Sequence, residues 1–129
     1  MATITEDYVS FETAKQLKEK GFNEDSWFHY DNDKDVVTRG YRLNHPYDIP
    51  AWTQQMVMKW LREVYNLSIR PRYEEVEDEK EQLHYVWFFD ILSMNPYKTL
   101  VEPKQGYYTY EEACEAAIKY CLENLIYDS

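Results

Sequence analysis

Glycine is scarce: Gly21, Gly40 and Gly106 are the only three in 129 residues. That leaves no room for the Gly-rich loops that cradle phosphates, and neither a P-loop, nor G-x-G-x-x-G, nor G-x-S-x-G occurs. Cysteine is scarcer still. Cys114 and Cys121 stand seven positions apart in one predicted helix, roughly 10 Å from each other and beyond disulfide reach. They read as small buried hydrophobes of a reducing compartment. His29, His45 and His84 are not spaced with one another or with a cysteine for zinc. No apolar run approaches the roughly 18 residues of a membrane span. The start MATITEDYVS carries no basic n-region and no apolar h-region. These absences lead us to expect a cytoplasmic protein, and we assign no catalytic residue, no cofactor and no metal.

Basic residues are also in deficit, 14 Lys and Arg against 24 Asp and Glu, for a formal net charge of -10. An acidic chain repels nucleic acid phosphates and anionic membranes, so neither is an expected partner. A basic protein partner is compatible. What the chain does have is apolar and aromatic: 44% hydrophobic residues, with thirteen tyrosines. That excludes a disordered chain. The length suits one domain, 1–129, with a single core.

The segment SFETAKQLKEKGF predicts a first helix. Ser10 is placed to cap it, Glu12 suits the positive end of the dipole, and Phe11, Ala14 and Leu17 share a face. Gly21 supplies a left-handed stop, after which Phe22 packs back on Leu17. Ser26–Tyr30 and Val36–Tyr41 then predict a hairpin around a five-residue loop. NHPYDIP, with two prolines, bars regular structure. PAWTQQMVMKWLREVYN predicts the second helix, with Pro50 at an early position and Asn66 at its end. Met56, Val57, Trp60, Leu61 and Val64 form its apolar stripe.

Residues 67–76 alternate as a half-buried strand, and Pro71 places that strand at an edge or a bulge. Leu83–Ile91 alternates again, with Tyr85, Trp87, Phe89 and Ile91 on one face, and reads as a central strand. SMNPYK is a turn and TLVEP a short strand. The last helix, TYEEACEAAIKYCLENLI, opens with the Thr109–Glu112 capping box. Its buried stripe is Tyr110, Cys114, Ala117, Ile118, Cys121, Leu122 and Leu125. Its wet face is Glu111, Glu115, Lys119 and Glu123, with Glu115 and Lys119 as an i,i+4 pair. The fold class is therefore α+β: three helices on an antiparallel sheet of about four to five strands.

Between the last two long strands, Glu74, Glu75, Glu77, Asp78, Glu79 and Glu81 crowd together. With no Gly or Pro from Glu74 to Gln82, the expectation is a long, solvated polar loop. These six carboxylates are the candidate interaction surface. A phosphate-charge mimic would need them spread along one face. DNDKD at 31–35 resembles a calcium loop at positions 1, 3 and 5, but position 6 is Val36 and position 12 is Arg42, so it reads as a hairpin turn. His84 and Asp90 share a strand face but sit about 20 Å apart, too far to act as a pair. Trp52, Met56 and Trp60 read as core, with a groove or dimer surface as the alternative.

Three stretches, YVSFETAKQLKEKGFN, TQQMVMKWLREVYNLSI and TYEEACEAAIKYCLENLI, carry a resemblance. They are similar to a family of small uncharacterised proteins of gut Bacteroidales and their phages or prophages. The resemblance covers the three predicted helices and is most specific in MKWLREV and YEEACEAAIKYCLENLI. It implies an intracellular protein, made during phage infection or lysogeny, and implies no mechanism. The leading functional expectation is a small, acidic, non-enzymatic protein-binding module with a phage-accessory role, bound to a host or phage protein. The alternative is a small-ligand binder or enzyme with an aromatic-lined pocket. A structural virion component, which would self-assemble, is a third class.

Overall fold

The computed structural model describes residues 7–24, 26–31, 33–42, 49–101 and 105–126, with the backbone alone at 27 and 37–42. The fold is α+β, in the order α1 (Phe11–Glu19), β1 (Ser26–Tyr30), β2 (Val36–Arg42), α2 (Gln54–Tyr65), β3 (Leu67–Glu77), β4 (Leu83–Met94), β5 (Tyr97–Val101) and α3 (Tyr110–Tyr120). A π-helical turn, Cys121–Leu125, extends α3 and closes with Ile126 N–H donating to the Cys121 carbonyl at 3.1 Å.

Local chemistry sets the helix ends. Ser10 Oγ accepts from Thr13 N–H at 3.2 Å and starts α1. At the other end Gly21 has φ +94°, and Phe22 N–H donates to the Leu17 carbonyl at 3.0 Å. That left-handed residue lets the chain fold back and bury Phe22 in the core. Asn66, with φ 57°, ends α2 and turns directly into β3. Thr109 caps α3 through Glu112 N–H at 3.1 Å.

The expectation for Pro50 is overturned. α2 begins at Gln54, and its cap is Thr53, which accepts from Met56 N–H at 3.2 Å. Pro50 instead lies in an extended segment that bridges His29 of β1. Ala51 N–H donates to the Phe28 carbonyl at 2.9 Å and Tyr30 N–H to the Ile49 carbonyl at 3.3 Å. That segment occupies the free side of β1. The five strands therefore form two sheets, β1–β2 and β3–β4–β5, rather than one. The two-proline segment expected to be irregular lies outside the described residues except for Ile49 and Pro50.

β3 and β4 pair antiparallel and without a break from Leu67↔Ser93 to Glu77↔Leu83. β4 is central and β3 an edge, with Pro71 opposite Phe89. α2 and α3 pack on β3 and on each other, and α3 also packs on β4. The core gathers Leu17, Phe22, Trp52, Val57, Leu61, Ile69, Ile91, Ile118 and Leu122, with both cysteines among them. The helices bury one sheet face, the one carrying Ile69 and Ile91. The stripe of α2 is rotated from the expected one: Gln54, Val57, Met58 and Leu61 are buried, while Met56 and Val64 are exposed. Gln54 goes inside because its side-chain amide donates to the Glu111 carbonyl at 2.9 Å, so its burial leaves no unpaired donor there.

Candidate functional site

The helices cover only the base of the β3–β4 hairpin. A twelve-residue helix such as α2 spans about 18 Å, and an eleven-residue strand such as β3 spans about 36 Å. The strands outrun the helices. On the face that carries Ile69 and Ile91 at the base, the residues beyond are Tyr73, Glu75 and Glu77 on β3 and Trp87, Tyr85 and Leu83 on β4. Tyr110 at the start of α3 reaches Trp87, edge to face at 5.2 Å between centroids, and cover ends there. Tyr73 is 57% exposed, Tyr85 54% and Leu83 57%. Tyr73 stacks on Tyr85 at 6.0 Å and 18°, and lies 5.0 Å from Trp87. The result is an open aromatic surface braced by its own rings.

The six clustered carboxylates do not form the expected long loop. Glu74, Glu75 and Glu77 belong to β3, and the reversal is a tight turn over Asp78–Gln82. Two features make it possible without glycine. Asp78 Oδ1 accepts from Lys80 N–H at 2.8 Å and from Gln82 N–H at 2.9 Å, so the side chain replaces missing backbone partners. Glu81 takes the left-handed conformation, φ 61°, that a type I turn with a bulge requires of its third residue. The DNDKD hairpin repeats this geometry. Asp31 Oδ1 accepts from Asp33 N–H and Asp35 N–H at 2.9 Å each, and Lys34 has φ 66°. Its aspartates are thus turn residues, as the failed calcium pattern implied.

The strand pleat separates the carboxylates. Glu74 points to the face opposite the aromatic surface, where Arg72 Nη1 donates to it at 2.6 Å. Arg70 and Arg72 on that face also hold the buried Asp90, with Arg70 Nε donating at 3.0 Å and Arg72 Nη2 at 3.3 Å. Asp90 is therefore structural. Glu75 and Glu77 share the aromatic face, and Glu75 accepts from the Tyr85 hydroxyl at 3.3 Å. Its charge pushes the Tyr85 phenol above its ordinary value. At the tip, Asp78 Oδ2 lies 2.7 Å from His84 Nε2, and that contact holds the Asp78 carboxyl below the usual range. Glu79 and Glu81 are exposed. Among the described residues no group of three or more His, Cys, Asp or Glu could hold a metal.

Among the described residues, two concavities elsewhere bear on function. An open cleft of about 470 Å³ is lined by Tyr8, Gln54, Tyr107, Ala116 and the acids at the start of α3. Ser10, Gln54 and Glu115 in its lining are committed to the fold. Glu115, expected on a wet face beside Lys119, is turned onto the first turn of α1: it accepts from Ser10 N–H at 2.9 Å, from Ser10 Oγ at 3.1 Å and from the Thr13 hydroxyl. There its charge also meets the positive end of that helix. The second concavity, about 270 Å³, lies among Phe22, Met56, Lys59, Trp60 and Glu63. Trp52 is fully buried and Trp60 half-buried against Phe22 at 5.0 Å, so of that trio Met56 alone is open. Burial pushes the Cys114 thiol up to about 11 and the Cys121 thiol up to about 12, which leaves both inert at neutral pH.

Sequence alternation identified the strands and one face of each, but did not separate the open distal residues Tyr73 and Tyr85 from the covered ones at the base. The signal that could have placed them outside was length: both strands exceed what any of the three helices can cover, and Glu75 and Glu77 continue the face that Tyr73 begins. Compared with known protein families, with characterised proteins and with solved structures, the chain matches none.

Proposed function

We propose that this protein is a binding module for another protein, and that the distal half of the β3–β4 hairpin is its docking surface. One observation carries the reading: Tyr73, Leu83 and Tyr85 lie open beside one another on a continuously paired two-stranded platform. Tyrosine-rich apolar surface of this kind is enriched where proteins meet, because a ring buries large area with little lost side-chain freedom. Glu75 and Glu77 give the platform a negative rim. The surface thus favours a partner with apolar and cationic side chains, which meet ring faces and carboxylates together. A phosphate mimic does not fit, since the pleat sends Glu74 to the opposite face and Asp78 into the turn. A phage-accessory role with a host or phage partner belongs with this reading. Binding of a small ligand in the cleft between Tyr8 and Tyr107 is the second reading, supported by its volume and disfavoured by the internal bonds of Ser10, Gln54 and Glu115 in its lining.

Affinity capture with the tagged protein tests the proposal when paired with a Tyr73→Ser/Tyr85→Ser double variant. Both side chains are exposed, so the variant keeps its core. A partner retained by the native chain and lost with the variant is the expected outcome. An unchanged set of captured proteins removes the hairpin surface from the reading.

A further inference from the structure

The distal hairpin has two outer edges, and hydrogen-bond parity distinguishes them. Asp78 N–H donates to the Gln82 carbonyl at the tip, and Met94 N–H to the Asn66 carbonyl at the base. Both contacts join even-numbered residues, and antiparallel ladders alternate, so the even residues of β3 and β4 hold the bonds between them. The odd residues of β3 aim N–H and C=O away from β4. Pro71 is one of them, which explains how a proline sits in a continuous strand: the N–H it lacks would have pointed outward. Beyond it Tyr73, Glu75 and Glu77 offer outward N–H and C=O groups, and among the described residues no strand pairs with them. On β4, Trp87 uses its outward groups on Tyr107, at 2.7 Å in each direction, leaving Leu83 and Tyr85.

Resting on the docking reading above, we propose that the partner enters as an added β-strand along the outer edge of β3 at Tyr73–Glu77, and that this strand carries Lys or Arg at alternate positions. An added strand places its side chains directly opposite those of β3, within cross-strand contact distance. Alternate cations on it meet Glu75 and Glu77, and the position beside them meets the Tyr73 ring. The same carboxylates oppose pairing of two copies of this chain through that edge, because identical acids would face each other. The edge of β4 offers no such selection: Leu83 and Tyr85 carry no charge. Pro71 fixes where the added strand stops, since a bonded ladder cannot continue past it.

The test is a fluorescence-anisotropy titration with a labelled decapeptide of alternating Lys and Val. Three comparisons accompany it: a Glu–Val decapeptide, the Lys–Val decapeptide N-methylated at every residue, and a protein variant. Glu75→Pro removes an outward N–H at the same kind of position as Pro71, and with it one of the two carboxylates. The Lys–Val peptide is expected to bind and the Glu–Val peptide not to. Glu75→Pro is expected to weaken binding about tenfold, the scale of one hydrogen bond lost, and N-methylation, which removes every donor of the peptide, to weaken it further. Failure of the Lys–Val peptide to saturate at millimolar concentration overturns the proposal, as does equal binding of the N-methylated peptide, which needs no variant to fold. Binding that is indifferent to Glu75→Pro takes the partner off the β3 edge and overturns it too. So does a dimer in sedimentation that Glu75→Pro dissociates, since a second copy then fills the edge. In each case the docking reading stands if captured partners still depend on Tyr73 and Tyr85, and falls only if they do not.

Discussion

Asp78 does two jobs with one carboxylate: one oxygen holds the turn through Lys80 and Gln82 N–H, and the other meets His84 at 2.7 Å. Its folded pKa lies below the ordinary value, so ionised Asp78 stabilises the native state. A lowered folded pKa gives stability that is present above the unfolded pKa and lost as pH falls through the folded one. Asp78→Asn keeps an oxygen for the turn and removes the charge. The native chain is expected to be the more stable at pH 7, with the gap closing as pH falls below the usual aspartate value of about 3.9. Denaturant titrations of both proteins from pH 7 to 3 check this; a gap that stays constant removes the charge from the explanation. None of this pairing was legible in sequence, because it depends on a turn that places residues six apart side by side.

The two hairpins are the elements that most repay comparison. Each reverses through an Asp-headed turn with a non-glycine residue in the left-handed region, Lys34 in one and Glu81 in the other. That conformation costs roughly 1 kcal/mol for a residue with a Cβ. Glu81→Gly is therefore expected to stabilise the protein by up to about 1 kcal/mol. Lys34→Gly is expected to gain less or nothing, because the Lys34 ammonium lies 3.2 Å from Glu12 and 5.2 Å from the Phe11 ring centre, contacts that tie the turn to α1. Thermal unfolding of the two variants side by side decides, and equal gains would mean that the Lys34 contacts contribute nothing. At this scale the sequence was informative about strands and helix caps: Ser10, Gly21, Asn66 and Thr109 act where their local chemistry puts them. It misled at the β3–β4 reversal, where the absence of glycine suggested a long loop and an aspartate side chain supplied the tight turn instead. It misled again at Pro50, which suits a helix start and an extended strand equally well until β1 is beside it.

Among the described residues one core joins the three helices to a three-stranded sheet, with a second hairpin held against the segment before α2. Cys114 and Cys121 lie within that core, fully buried, with thiols raised by burial to about 11 and about 12. Alkylation by iodoacetamide is therefore expected to proceed through global unfolding, at the same denaturant dependence as the loss of tertiary signal and to the same extent at both cysteines. Mass spectrometry of partly labelled protein checks it; one cysteine reacting early would reveal local opening of the π-helical end of α3. By itself the sequence determined the α+β class, the three helices with the end residues Ser10, Gly21, Asn66 and Thr109, and the strand periods, because each of these follows from neighbours within a few residues. Only the tertiary structure decided that the strands divide into two sheets, that Glu115 caps a distant helix, and that Tyr73 and Tyr85 stand outside the core. Those outcomes depend on which surfaces meet and how far a helix reaches along a strand, and a linear pattern of apolar and polar residues does not contain either length.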